Sequence, residues 1–291
     1  MIDDRKTSRR VFNVFNYLFL GVIMVITLYP LYYQFIVSIS NGLDVMRGEV
    51  TFLPQNITLD TYRQFLKGDL FMYMKNSVFY TVLGTFINLV MSSLCAYPLT
   101  RKQFSGRKFF TFMVTFTMFF SGGMVPDYLL IRDLDLINSI WSLILPGAIS
   151  AYNITIMRNY LMSLPDSLEE SAYIDGANDI VILYKIIVPL SLPILATIAL
   201  STAVGHWNAW FDAMIYIQDT DKQVLAITLR RIVLQGSNSV VTMSGEEMST
   251  QTTSDTIKAA TIMVATVPIL CVYPFIQKYF VKGVMVGSLK G

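Results

Sequence analysis

The chain has 291 residues, of which 54% are hydrophobic and only 14% are charged, and its mean hydropathy is +0.52. Soluble domains carry about 25% charged residues, so this composition indicates a membrane protein and argues against a soluble enzyme. The net charge of +2 is too small to suggest nucleic-acid binding, and two cysteines with one histidine provide neither a disulfide framework nor a clustered Cys/His metal site.

Six apolar segments are each long enough to cross a hydrocarbon core about 30 Å thick, which needs roughly 20 helical residues. In chain order they cover residues 17–39, 76–100, 109–126, 136–157, 186–211 and 259–277. The third ends in Ser121-Gly122-Gly123, which breaks a helix, and Pro146 and Pro268 predict kinks in the fourth and sixth. The sequence therefore predicts an all-α polytopic membrane protein with one domain over 1–291.

The basic residues predict the orientation of these spans. Four lie in the leader, residues 1–16, and four more in "RKQFSGRK", residues 101–108. By the positive-inside rule both segments face the cytoplasm. With six spans, both termini, the tail 278–291 and the loop 158–185 between spans four and five are then cytoplasmic too. The first span begins like a signal peptide, but its apolar core is too long and no small-residue cleavage site follows, so we interpret it as a retained anchor.

The cytoplasmic loop 158–185 contains an acidic stretch, "EESAYIDGAND", in an otherwise apolar chain. Ser167 and Glu170 have the spacing of a capping box, Pro165 suits a first turn, and Gly176 is a plausible stop. We therefore predict a short helix over about 165–175. Such a helix is more often a solvated connector, although its small residues leave the backbone accessible to a groove in another protein.

The run "ESAYIDGANDIVILYKIIVP" resembles the EAA loop of ATP-binding-cassette (ABC) importer permeases. That loop has the pattern E-A-A, three residues, G, nine residues, then I-x-L-P. The matching positions are Glu170, Ser171, Ala172, Gly176, Ile186, Val188 and Pro189. Two of them depart mildly from the pattern, since Ser171 replaces an alanine and Val188 a leucine.

Other stretches narrow the resemblance to the carbohydrate branch, which contains the maltose-type permeases. They are "NSVFYTVLG", "AYPLTRKQFSGRK", "WNAWFDA" and the terminal "QKYFVKGVMVGSLKG". Within that branch the chain resembles the second, shorter permease of a pair. "FFSGGMVPDYLL" and "WSLILPGAIS" resemble the subgroup that imports complex or uronate-containing oligosaccharides.

The resemblance implies that this chain is a permease subunit in a bacterial cytoplasmic membrane. The chain holds no phosphate-binding G-x-x-x-x-G-K-[ST] loop, so ATP and magnesium belong to partner subunits, and we expect no catalytic residue, metal or cofactor here. The implied partners are a homologous second permease, two ATPase subunits, an extracytoplasmic sugar-binding protein and an oligosaccharide. The residues implied in ATPase coupling are Glu169, Glu170, Ser171, Ala172, Asp175, Gly176, Ala177 and Pro189.

Residues near the outer end of span five are candidates for the sugar path, because ligand sites place a few polar groups among apolar walls. The candidates are His206, Trp207, Asn208, Trp210 and Tyr128. The aromatic ones are first of all candidates for the interfacial belt, and His206 is more often a packing residue than a ligand. Two segments, 44–75 and 218–256, are long enough to receive a binding protein, and the second reads as a mobile loop near its end.

Two other functions remain open from the residues. A self-sufficient secondary transporter of a small polar solute usually shows inverted repeats and an intramembrane ionisable pair. We find neither, since Asp212 lies at a span end. A scaffold without transport activity is the other alternative. ATP dependence of transport in reconstituted membranes separates all three.

Overall fold

The computed structural model describes residues 3–235 and 252–288. Within these ranges most residues are helical and there is no strand. The helices are α1 (Asp3–Ser38), α2 (Gly42–Met46), α3 (Asp60–Lys67), α4 (Asp69–Thr100), α5 (Arg107–Thr117), α6 (Met124–Asp133), α7 (Trp141–Ile144), α8 (Ala151–Leu161), α9 (Ser167–Ile174), α10 (Asp179–Ile182), α11 (Val188–Leu190), α12 (Leu192–Trp207), α13 (Trp210–Tyr216), α14 (Leu225–Gln235) and α15 (Ser254–Ser288). A π-helical turn, Leu183–Ile187, joins α10 to α11, and a 3-10 turn, Thr220–Lys222, precedes α14.

Three of the described helices, α1, α4 and α15, are long and apolar enough to cross a membrane. A fourth span is added if the bent pair formed by Asp179–Leu190 and α12 counts as one. These helices correspond to the predicted spans one, two, six and five. The all-helical class is therefore confirmed, whereas six spans, two cytoplasmic termini and a single domain stay predictions.

The predicted third and fourth spans are interrupted. α5 ends at Thr117, and the next helix begins only after Gly123, which has a φ of +89°. In the fourth, the helix stops at Ile144 and resumes at Ala151. Pro146 lies in that gap, so it accompanies a full break where we predicted a kink. Pro268 lies inside the continuous α15.

The predicted fifth span is sharply bent where two prolines flank Ser191. The segment Asp179–Leu190 meets α12 at 81°. Pro189 and Pro193 both lack the N–H that an unbroken helix would use, so the backbone can change direction between them. The segment Asp179–Leu190 is thus set nearly at a right angle to α12.

The described chain divides into two compact units. The first comprises residues up to Asp69 and those described between Arg231 and Thr266. In it, Asp44 accepts a hydrogen bond of 2.7 Å from the Asn56 amide, so part of the predicted docking segment 44–75 is internally ordered. Of the predicted mobile loop, 236–251 lie outside the described residues.

The second unit comprises Leu70–Arg230 and the residues from Val267 onward. It has two apolar clusters of buried side chains. One surrounds the end of α4 and the loop helix α9, and the other surrounds Tyr80, Leu143 and Tyr216. Both candidate sites described below lie within this unit.

Candidate functional site

The loop helix α9 starts at Ser167, one residue earlier than a capping box with Ser167 as the N-cap would allow. The Leu168 N–H donates to the Pro165 carbonyl at 3.3 Å, and the Glu170 N–H donates to the Asp166 carbonyl at 3.1 Å. Asp166, the residue before α9, already has helical dihedrals and makes no side-chain cap. Ser167 therefore lies inside the first turn, and the predicted capping box is wrong. The cause is Pro165, whose fixed φ suits the start of a helical turn.

The end of α9 is a Schellman motif, as the predicted stop at Gly176 implies. Gly176 has a φ of +78°, its N–H donates to Tyr173, and the Ala177 N–H donates to the Ala172 carbonyl at 2.9 Å. The Asn178 side chain then caps α10 by accepting from the Val181 N–H at 2.9 Å. The turn between α9 and α10 therefore has a fixed geometry.

The inner face of α9 packs against the chain itself. Ala172 is only 7% exposed and belongs to an apolar cluster with Tyr97 and Leu99 of α4 and Leu183 and Ile187 at the start of span five. The Ala172 methyl group is small enough to let α9 approach α4 closely. Of the residues implied in ATPase contact, Ala172 thus faces the protein interior.

An ion pair ties α9 to the loop that follows α4. Arg101 pairs with Glu169, and the two side chains are only 21% and 16% exposed. The guanidinium carbon also lies 4.1 Å from the centroid of the Tyr97 ring, a cation–π contact. We call Arg101, Glu169 and Tyr97 the brace. Sequence reasoning missed it because Arg101 counted only as a cytoplasmic charge and Glu169 only as an ATPase contact.

The outer face of α9 is exposed. Glu170, Asp175 and Gly176 are on this surface, and Ile174 is 86% exposed. The Tyr173 hydroxyl donates to the Asp179 carboxylate, and this bond, with some burial, raises the pKa of Tyr173 to about 12. The hydroxyl therefore stays protonated at neutral pH and keeps bridging α9 and α10. The outer face of α9 is therefore mainly acidic, with Ile174 as a single exposed apolar side chain.

A second candidate site is a polar cavity of about 330 Å³ between α4, the break before α8, α12 and α13. The Asn88 amide donates to the Gly147 carbonyl at 2.8 Å, and the Asn153 amide donates to Asn88 Oδ1 at 2.9 Å and to Thr202 Oγ1 at 3.2 Å. This network joins α4, α8 and α12. Sequence reasoning missed it, although asparagine inside an apolar segment is itself a signal of an interhelical or functional role.

His206 is the one predicted sugar-path residue that lines the polar cavity. Its Nδ1 lies 2.8 Å from the Tyr80 hydroxyl. Trp207 instead lines a separate apolar hollow of about 180 Å³, and the Asn208 amide donates back to the Val204 carbonyl of its own helix at 2.9 Å.

The aromatic rings of the two remaining sugar-path candidates pack against neighbouring side chains. The guanidinium of Arg230 lies 3.6 Å from the centroid of the Trp210 ring. The Tyr128 ring is stacked on Tyr216 at 6.2 Å. The structure therefore does not bring the predicted sugar-path residues together in one site.

Two glycines make room for His206, and this predicts the effect of a methyl group. A Cβ added at Gly84 would lie 2.7 Å from His206 Nε2, closer than packed atoms allow. We expect Gly84→Ala to destabilise the protein by roughly 1–3 kcal/mol, as overpacked cores do. Gly21→Ala is the matched control, since nothing lies within 4 Å of a Cβ at Gly21. Melting temperatures in detergent check this, and equal values for both variants would contradict the packing of His206.

Comparison with known proteins places the chain among permeases. No family model matches it. It is 42% identical to the polygalacturonan/rhamnogalacturonan transport system permease protein YtcP of Bacillus subtilis, over 98% of this chain and 100% of that protein. It is 40% identical to protein LplC of the same organism, over 97% of this chain and 96% of LplC.

A solved structure gives the same result. The chain superposes with a TM-score of 0.85 and 36% identity on a chain in the crystal structure of a bacterial ABC transporter involved in the import of the acidic polysaccharide alginate. The match covers 94% of this chain and 98% of that chain. Permeases of such importers have no ATPase site of their own, because separate subunits hydrolyse ATP. A secondary transporter is accordingly not favoured. The chain is a multi-pass membrane protein and belongs to the family of carbohydrate ABC transporter permeases.

Proposed function

We propose that this chain is the second permease of an importer for uronate-containing oligosaccharides, and that α9 is the element through which an ATPase moves the spans. One observation carries the assignment of α9. The helix has a buried face, at Ala172, that joins the core at the ends of spans two and five, and an exposed face, at Glu170 and Ile174, that is free to meet a partner.

The connection between α9 and the spans is stiff enough to transmit a displacement. The Schellman turn at Gly176, the cap at Asn178 and the brace each fix α9 to its neighbours. A flexible loop would absorb a push, whereas rigid elements joined by a hinge pass it on. Closure of the ATPase dimer on ATP would therefore reach spans two and five together and switch the permease from inward-facing to outward-facing. The other predicted coupling residues, which include Ser171, Asp175 and Pro189, lie on α9 or on the segment that follows it and would move together with α9.

The proposed substrate class follows the relatives. One is named for polygalacturonan and rhamnogalacturonan transport, and the solved neighbour is a chain of an ABC transporter involved in the import of the acidic polysaccharide alginate. The polar cavity beside His206 supports a sugar path through this chain, because its amides and hydroxyls are the groups that bind sugars among apolar walls. Trp207, Asn208, Trp210 and Tyr128 stay candidates for other parts of that path.

The proposed assembly contains this chain, a homologous but distinct permease, two ATPase subunits that hold ATP and magnesium, and one extracytoplasmic binding protein. The chain itself needs no cofactor. It would cross a bacterial cytoplasmic membrane six times with both termini inside, and the segments 44–75 and 218–256 would receive the binding protein.

Purification of the tagged chain from its own host in mild detergent tests the assembly. We expect native mass spectrometry to show the second permease and two ATPase copies with one copy of this chain. The reason is that one chain has no ATPase site and supplies only one of the two coupling loops. An active homodimer of this chain, with no second permease, would contradict the proposal. Sugar uptake that needs no ATP would instead support a secondary transporter.

A further inference from the structure

Most of the side-chain amide N–H groups in the walls of the polar cavity already donate hydrogen bonds to other groups of the protein. The Asn88 amide donates to the Gly147 carbonyl. The Asn153 amide uses both its hydrogens, one on Asn88 Oδ1 and one on Thr202 Oγ1. Neither hydrogen of the Asn153 amide is therefore left for a ligand.

The Tyr80 and Ser201 hydroxyls and the His206 imidazole also donate within the protein, whereas the Ser150 hydroxyl only accepts among the described residues, from the Asn153 N–H. The Tyr80 hydroxyl donates to the Leu143 carbonyl at 3.1 Å, because a carbonyl can only accept. Its oxygen then accepts from His206 Nδ1. The Ser201 hydroxyl donates to the Ile198 carbonyl of its own helix at 3.0 Å. These three donors also point into the protein.

What the cavity offers a ligand is mainly acceptors. Asn153 Oδ1 and the Asp212 carboxylate both belong to the lining, and neither has a hydrogen-bond partner or ion pair among residues 3–235 and 252–288. No lysine or arginine lines this cavity in the same part of the chain. An ionised carboxylate accepts hydrogen bonds but cannot donate them, whereas a sugar hydroxyl does both.

We propose that this cavity binds a neutral, hydroxyl-bearing sugar unit of the transported glycan and rejects a uronate unit. Hydroxyl groups would donate to Asn153 Oδ1 and Asp212, while a uronate carboxylate would find few donors and would be repelled by Asp212. The volume of about 330 Å³ lies at the lower end of ligand pockets, which span roughly 300–1,000 Å³. The inference rests on the proposed import of oligosaccharides and adds which kind of unit this chain recognises.

The test compares two disaccharides in proteoliposomes that contain the complete transporter and its binding protein. One disaccharide joins a uronate to a neutral sugar, and the other joins two uronates. We expect Asp212→Asn to raise uptake of the all-uronate disaccharide relative to the mixed one by roughly tenfold, because a like charge in a binding site is unfavourable. Asp133→Asn, which removes an exposed carboxylate paired with Arg132, is the matched control and should leave the ratio unchanged. The binding protein is the same throughout, so a changed ratio belongs to the permease.

A further variant separates charge from folding. Asp212→Glu keeps the negative charge and should keep the wild-type ratio, even if its uptake is slower. An unchanged ratio in Asp212→Asn overturns the inference, as does a wild-type transporter that moves both disaccharides equally well. If neither disaccharide stimulates ATP hydrolysis, the proposed oligosaccharide import fails, and this inference fails with it.

Discussion

Glu170→Lys and Gly176→Val should each uncouple ATP hydrolysis from sugar uptake while the chain still inserts into the membrane. Glu170 is exposed on the outer face of α9, so a lysine there reverses the charge offered to the ATPase. Breaking a buried charged contact typically costs about 2–5 kcal/mol. Gly176 has a φ of +78°, and a β-branched residue in the left-handed region costs roughly 1–2 kcal/mol and re-aims the turn toward α10.

The measurement is uptake per ATP hydrolysed in proteoliposomes, with ATPase retention checked by pull-down. Gly48→Val is the matched control, because Gly48 has a φ of +74° and lies in the predicted outer segment 44–75. It carries the same backbone strain, but we expect it to keep the ATPase bound and the uptake ratio intact. A solvated connector would tolerate both loop changes, since surface substitutions usually stay within about 0.5 kcal/mol. Wild-type values in both would therefore leave α9 without a coupling role.

Reversing one charge of the brace should lower the uptake per ATP hydrolysed as much as the changes at Glu170 and Gly176 do. Reversing both charges should restore much of the lost coupling. Arg101→Glu or Glu169→Arg alone leaves two like charges in a site where the native side chains are 21% and 16% exposed. Removing one partner of a buried pair typically costs about 3–5 kcal/mol. We expect each single variant to release α9 from α4, lowering both the melting temperature and the uptake per ATP. The double variant remakes the pair with reversed polarity.

The neighbouring pair supplies the control for this experiment. Lys102 and Asp166 lie 3.2 Å apart but are 83% and 77% exposed, so their attraction is worth at most about 1 kcal/mol. Lys102→Glu should therefore change little. If Arg101→Glu behaves like Lys102→Glu, or if the double variant is no better than the singles, the brace does not hold α9.

Local signals in the sequence predicted the loop helix well. Its bounds fall within two residues of the prediction at the start and one at the end, and Gly176 has the positive φ that its position implied. The capping box failed because a proline two residues earlier already starts the turn. The brace was out of reach, since nothing local to Arg101 or to Glu169 states which distant partner it meets.

The interrupted spans show what hydropathy leaves out. A hydropathy window measures how apolar a segment is, and not whether its backbone is continuous. The sequence Ser121-Gly122-Gly123 correctly predicted one break. At Pro146, by contrast, we predicted only a kink, and the structure has a break. Tertiary packing decides whether a proline bends a helix or ends it, and that information lies in the neighbouring helices.

The polar cavity was only partly predictable for a geometric reason. His206 and Trp207 are adjacent on α12, but His206 faces the polar cavity and Trp207 faces the separate apolar hollow, and nothing in the sequence says which side chain faces which space. Asn88, Asn153 and Thr202 come from separate helices, and each alone is indistinguishable from a polar residue that holds two helices together. Their common site exists only once the fold is known.

The 81° bend at Ser191 joins two helical segments that can act as the two arms of a lever. The short arm, Asp179–Leu190, carries the loop helix, and the long arm is α12, with 16 residues and thus a length of roughly 24 Å. Rotation of the short arm by only 5° would swing the far end of the long arm through roughly 2 Å, by the same helical dimensions. His206 lies at that far end. A movement too small to disturb the apolar cluster around α9 would thus be enough to reshape the wall of the polar cavity.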